Sequence, residues 1–155
     1  MRAVAQRRQS FASLADLRTR DVTVLNRIAN LPEVKPYFGH VEKGDIDFRE
    51  LAAAPAEYVL LCNGEDAGSI FEWSGPGIWQ SHYLFAHSCR GRRAITECRR
   101  MIAWMFEREG ARLLWGQTPI ENRPARWLNR QIGARSHGIR THHISGACEL
   151  FTVEV

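Results

Sequence analysis

Lysine is nearly missing from this chain: Lys35 and Lys43 are the only two, so almost all of its positive charge is arginine. Arginine presents a planar fork that grips phosphate and carboxylate bidentately, which points to an anionic ligand. The formal charge of +4 is too small to argue for nucleic acid, and no nucleic-acid-binding motif is present. There is no CxxC pair; Cys62, Cys89, Cys98 and Cys148 are widely spaced, unlike the closely paired ligands of a zinc site. His142 and His143 are adjacent, so in a strand they point to opposite faces and cannot share one metal. No metal site is expected, and the thiols read as reduced, as in a cytoplasmic protein. No apolar run approaches the length of a membrane span. Arg2, Arg7 and Arg8 are followed by no apolar stretch, so a secretory signal is not expected. Repeats, low-complexity tracts and a domain boundary are missing too. A chain of 155 residues with 45% hydrophobic composition then reads as a single domain, residues 1–155, with a proper core.

What is present is a succession of short elements. An initial strand is expected near residues 11–17, followed by a helix with Thr19 as N-cap and Asp21 in its first turn. Val24, Leu25, Ile28 and Leu31 form its apolar face, and Pro32 ends it. Residues 32–47 read as loop, with Tyr37 and Phe38 either anchoring it to the core or forming a lid over a pocket. A short helix over residues 48–54 stops at Pro55. Residues 58–62, 68–73 and 78–85 then form an antiparallel meander, with Asn63 and Gly64 at the first turn. Ser69, Phe71 and Trp73 share one face of the second strand.

The clearest helix follows Arg90 and Gly91. Ala94, Ile95, Cys98, Met101, Ile102, Met105 and Phe106 form its apolar stripe, Glu97 and Arg100 lie on the other side, and Trp104 falls off the stripe. Gly110 caps it. A strand over residues 111–117, a helix over 121–132 stopped by Gly133, and strands over 135–143 and 148–155 complete the chain. The class is α+β, in α/β/α layers.

Residues 83–133 carry the chemistry. An apolar strand runs into a helix N-terminus, where first-turn N–H groups lack intrahelical partners and the dipole is positive. Arg90, Arg92, Arg93 and Arg99 surround that turn, a setting for a phosphorylated ligand. On the strand before it, alternation sets Gln80, His82 and Leu84 on one face and Ser81, Tyr83 and Phe85 on the other. His82, with an ordinary pKa near neutrality, and Glu72 are the candidate proton acceptors.

Two patterns resemble the GNAT N-acetyltransferase superfamily. Its Q/R-x-x-G-x-G/A loop is matched by Arg90-Gly91-Arg92-Arg93-Ala94-Ile95, and its N-x-x-A motif by Asn122-Arg123-Pro124-Ala125, with Gly133 at the family spacing. The resemblance implies a GNAT acyl-CoA N-acyltransferase-like fold, a mixed, mostly antiparallel sheet flanked by helices. It further implies acetyl-CoA as co-substrate and a primary amine as acceptor. Arg90, Gly91, Arg92, Arg93 and Ala94 would hold the pyrophosphate, Leu84, Phe85 and Ala86 would pair with the pantetheine, and Asn122 would orient the cofactor. Three departures stand out: Arg93 and Ile95 replace small loop residues, Asn129 stands where the family often has an acidic tyrosine, and Ala134 replaces phenylalanine after Gly133. A narrower resemblance, to phage-encoded GNAT-like proteins, rests on His82, Phe85, Arg90-Gly91-Arg92, Glu121-Asn122-Arg123 and the ending Glu149-Leu150-Phe151-Thr152-Val153. It implies the alternative of a catalytically silent assembly protein with other virion proteins as partners.

Overall fold

The sheet begins as the expected meander. In a computed structural model that describes residues 17–38 and 44–155, β1 (Tyr58–Asn63), β2 (Ala67–Gly75) and β3 (Ile78–Phe85) pair antiparallel in sequence order. Gly64 takes φ +64° at the first turn, a conformation that glycine adopts freely. After β3 comes helix α3 (Arg92–Arg108), a crossover that lays β4 (Leu113–Pro119) parallel to β3. Helix α4 (Arg123–Gln131) then leads to the hairpin of β5 (Arg135–His142) and β6 (Gly146–Glu154). The order across the six strands is β1-β2-β3-β4-β6-β5, and only the β3–β4 pair is parallel.

Both faces of the sheet are covered. Leu25 and Ile28 of α1 (Thr23–Ala29), with Phe48 just before α2 (Arg49–Ala52), pack on Leu60, Ile70 and Leu84. On the other face Cys98, Met101 and Met105 of α3 and Leu128 of α4 pack on Val59, Phe71 and Phe85. Alternation along β2 and β3 therefore sends successive side chains into two separate cores. The α/β/α layering matches expectation.

Several local expectations need correction. The first helix starts at Thr23, not after Thr19; Asp21 closes its N-terminus by accepting from the Thr23 N–H at 3.0 Å. Residues 11–16 of the expected first strand lie outside the described residues, but Leu17 and Thr19 do pair with β1, where the Leu17 carbonyl accepts from Cys62 N at 2.8 Å. Glu97 is buried, because Asn63 Nδ2 reaches across to donate to it at 2.6 Å. Trp104, although off the apolar stripe, is a core residue, in keeping with the safer reading of a tryptophan there. His142 and His143 do not point apart. The strand ends between them, and their rings lie 4.7 Å from each other. Among the described residues no helix is long and apolar enough to cross a membrane.

Helix α1 sits close on β2 because Gly68 has no side chain; a Cβ there would overlap Leu25 Cδ2 and lie 3.3 Å from the Leu61 carbonyl oxygen. Leu25 is fully buried and cannot step aside. Gly68→Val is expected to lower the unfolding free energy by about 2 kcal/mol through overpacking, measured by urea denaturation.

Candidate active site

The parallel pair parts early. Ladder pairing of β3 with β4 runs only from Ile78 with Leu113 to Gln80 with Trp115. One more link, from Ser81 Oγ to the Trp115 carbonyl at 3.2 Å, precedes the split. Gly116 allows that last close approach, since a Cβ there would lie 3.3 Å from the Ser81 carbonyl oxygen. Beyond it, β3 continues on β2 as far as Phe85 with Ala67, and β4 continues on β6 as far as Pro119 with Cys148. Two strand edges are left facing each other.

The ladder register decides which backbone groups enter the gap. Ala86 N donates to the Asp66 carbonyl at 2.9 Å, so the hydrogen-bonded pairs of β2 and β3 are the even-numbered positions of β3, including Leu84 with Gly68. The backbone groups of Tyr83 and Phe85 therefore point towards β4, where no ladder receives them. This narrows the expected stretch of backbone donors. The Leu84 and Ala86 N–H groups are taken on the β2 side, and Phe85 keeps its position with Tyr83 as its neighbour.

A cleft of about 890 Å³ occupies the gap and reaches both layers. That is enough room for a sizeable ligand. On the α3 side it is lined by Arg90, Gly91 and Ala94, and on the opposite side by Glu33, Tyr37, Phe38 and His142. Both Tyr37 and Phe38 line the cleft, and Phe38 anchors the loop to the core, its ring 5.9 Å from that of Phe48. Glu33 and His142 escaped sequence reasoning, because nothing local links a loop glutamate to a hairpin tip more than a hundred residues later.

The turn before α3 has the backbone that its sequence suggests, with one difference in its side chains. Gly91 precedes α3 with φ +59° and ψ −131°, a backbone that side-chain-bearing residues resist. The N–H groups of Arg92, Arg93 and Ala94 open the helix and have no intrahelical acceptor. Of the four arginines only Arg90 lines the cleft. Arg92 is exposed to solvent, Arg93 turns to Asp66, and Arg99 donates to the Gln131 carbonyl at 2.8 Å. The expected cluster of cations is thus a single arginine beside an open helix terminus, because long side chains on successive helical positions fan out.

His82 is half-buried, lines the cleft and has no hydrogen-bond partner among the described residues. Burial lowers its pKa from the ordinary 6.5, so the imidazole is neutral at neutral pH. Glu72, the other candidate proton acceptor, does not join it. It stands on β2 opposite Gln80, one strand away from the gap, and does not line the cleft. Asn122 lines the cleft and caps α4, its Oδ1 accepting from Ala125 N at 3.2 Å. Tyr83, which no sequence motif marks, also lines the cleft. Its hydroxyl is buried without a hydrogen-bond partner among the described residues, and burial holds its pKa well above 10.0, so it keeps its proton. Among the described residues no group of three or more His, Cys, Asp or Glu side chains is placed to hold a metal.

No protein-family model and no curated protein matches this sequence. Solved structures do match its fold. A GNAT-family acetyltransferase from Bacillus anthracis superposes with a TM-score of 0.66 at 13% identity, covering 87% of this chain and 89% of the other. The ribosomal-protein-S5-alanine acetyltransferase from Vibrio fischeri gives 0.70 at 8% identity over 87% of each chain. An aminoglycoside acetyltransferase in complex with coenzyme A and kanamycin gives 0.68 at 13% identity, over 89% of this chain and 92% of that one. The chain has the GNAT fold.

Two residues that depart from the GNAT pattern have partners of their own. Arg93, at the loop glycine's position, does not fill the cleft, because its side chain is held elsewhere. Asn129, at the tyrosine's position, lines the cleft and donates from Nδ2 to Thr118 Oγ1 at 3.1 Å. An amide cannot serve as a general acid, so Asn129 braces α4 against β4 instead.

Proposed function

We propose that this protein is an acyl-CoA-dependent N-acyltransferase that passes an acyl group, acetyl in the simplest case, directly to a primary amine. The observation that carries this reading is the parting of β3 and β4, which leaves the Tyr83 and Phe85 backbone groups without a ladder partner among the described residues, beside the N-terminus of α3. An extended, amide-bearing chain ending in a pyrophosphate suits such a gap. Its amides satisfy the free strand edge, and its anionic end meets Arg90 and the first-turn N–H groups of α3. The acceptor amine enters from the side of Glu33, Tyr37 and Phe38. Glu33 is the only carboxylate lining the cleft among the described residues and favours a cationic amine.

His82 takes the proton that the ammonium must lose, directly or through water. The freed nitrogen lone pair attacks the thioester carbonyl carbon, the carbon–sulfur bond breaks with the sulfur leaving as thiolate, and the second proton that the nitrogen sheds passes to that thiolate, directly or through water. A thiol titrates near 8.5, so its thiolate departs without a strong acid beside it. Asn129 in place of a tyrosine is therefore tolerable chemistry. The backbone N–H of Tyr83 or Phe85 supplies the donor for the developing oxyanion.

Calorimetric titration with acetyl-CoA tests the reading. Saturable binding well below millimolar ligand is expected, and Arg90→Ala should weaken it by about tenfold, the worth of one charge-assisted contact to phosphate. No heat of binding at millimolar ligand would sink the enzyme reading and favour the silent assembly role. Turnover is then measured as free thiol release across a panel of primary amines.

A further inference from the structure

The loop that leads into α3 is fastened to the β1–β2 turn by one buried carboxylate. Asp66 Oδ1 accepts from Arg93 Nη2 at 2.8 Å, and its Oδ2 lies 2.8 Å from Arg93 Nη1. The same Oδ2 accepts from Ser88 Oγ at 2.8 Å, and the Asp66 carbonyl accepts from Ala86 N at 2.9 Å. Arg93 Nη1 also donates to the Ser88 carbonyl at 3.4 Å. Ala86, Ser88 and Arg93 are thus tied to a turn of the meander, while Arg90 and Gly91, which lie between them, make none of these contacts and line the cleft. One guanidinium hydrogen bond and a second close N–O contact engage both carboxylate oxygens, which fixes direction as well as distance.

We propose that Asp66 and Arg93 are positioning residues for the anionic end of the co-substrate. The bridge draws the Arg93 side chain away from the helix terminus, so a large residue stands where a glycine is otherwise required, without filling the cleft. It also holds still a loop whose freest backbone is at Gly91, so that Arg90 and three N–H groups converge on one place. An ordered anion site needs that convergence, because each donor left to wander costs conformational entropy on binding. The inference rests on the acyl-CoA reading above. It reverses what the loop pattern suggests, since restoring the family's residue by Arg93→Gly should weaken binding, not improve it.

The test compares two ligands on the full chain: coenzyme A by calorimetry, and acetyl-pantetheine, which has no phosphate, by NMR titration. Arg93→Gly and Asp66→Asn are each expected to raise the Kd for coenzyme A about tenfold while leaving that for acetyl-pantetheine within about twofold. Arg93→Lys keeps the charge but not the fork, and should fall between, at about threefold. A general loosening of the fold would weaken both ligands alike and overturn the proposal. So would coenzyme A binding that Arg93→Gly leaves unchanged or tightens. Should Asp66→Asn fail to melt cooperatively, the half-exposed Arg93 position decides the matter alone. If the unaltered protein binds no coenzyme A, the functional reading fails and this inference with it; if it binds and the variants match it, the inference alone fails.

Discussion

Replacing His82 with alanine is expected to lower kcat by about a hundredfold, the lower end of what a positioned general base contributes. The expectation follows from placement. His82 is the imidazole on the β3 edge where the strands part, and it lines the cleft without a hydrogen-bond partner among the described residues. Burial lowers its pKa from 6.5, so the neutral form, the one that can accept a proton, prevails at pH 7. Activity should accordingly be insensitive to this group above pH 6.5 and decline only as the pH falls through its lowered value. That acidic limb in kcat/KM should vanish in the variant. If His82 serves only to pack, the variant loses stability while the profile keeps its acidic limb, and the assignment is wrong. Glu72 offers no second base at the gap, since it lies a strand away.

The second large effect concerns stability. Glu149 is buried on β6 and collects three donors: Arg126 Nε at 2.7 Å, Arg130 Nη2 at 2.7 and 2.9 Å, and Ser136 Oγ at 2.7 Å. These bonds tie α4 and β5 to β6. Burial alone would raise the carboxyl's pKa, but the donations from Ser136, Arg126 and Arg130 prevail and bring it down from 4.5 to about 2. Glu149→Ala is expected to lower the unfolding free energy by about 3 kcal/mol. The figure sits at the low end for a broken buried pair because both guanidinium groups retain access to water, with side-chain exposures of 27% and 49%. Since the folded pKa lies below the unfolded one, the carboxylate's contribution is complete above pH 4.5 and is lost as the pH falls towards 2. Urea denaturation between pH 6 and pH 2.5 should show that acid slope in the natural protein and a shallower one in Glu149→Gln. Equal slopes would show that Glu149 is not the group responsible.

The elements read most securely in the sequence are those whose cause is local. The stripe of Ala94, Cys98, Met101 and Met105 is buried on α3 because helical spacing alone puts those residues on one face. Gly64 beside Asn63 made the hairpin and Gly91 opened α3 through their backbone freedom, and Asn122 capped α4 through its side-chain oxygen. The GNAT fold was legible from two such local patterns and their separation. The first helix was less so, because Asp21 and Thr19 both offer cap oxygens and only the packing of Leu25 and Ile28 settles where it starts.

What the chain could not declare by itself are outcomes that need a distant partner. Arg93 looks like one more cation at a phosphate turn until Asp66, 27 residues earlier, claims it. Glu97 looks solvated until Asn63 reaches it from 34 residues away. The same holds for the site as a whole. Sequence determined the fold class, the helix terminus and the charge beside it, since periodicity and capping act over one or two turns. Tertiary structure decided that β3 and β4 part after Gln80 and Trp115, that Tyr83 and Phe85 rather than Leu84 and Ala86 face the gap, and that one arginine, not four, reaches it. Strand register and side-chain pairing across the sheet set those outcomes, and neither is written in the spacing of neighbouring residues.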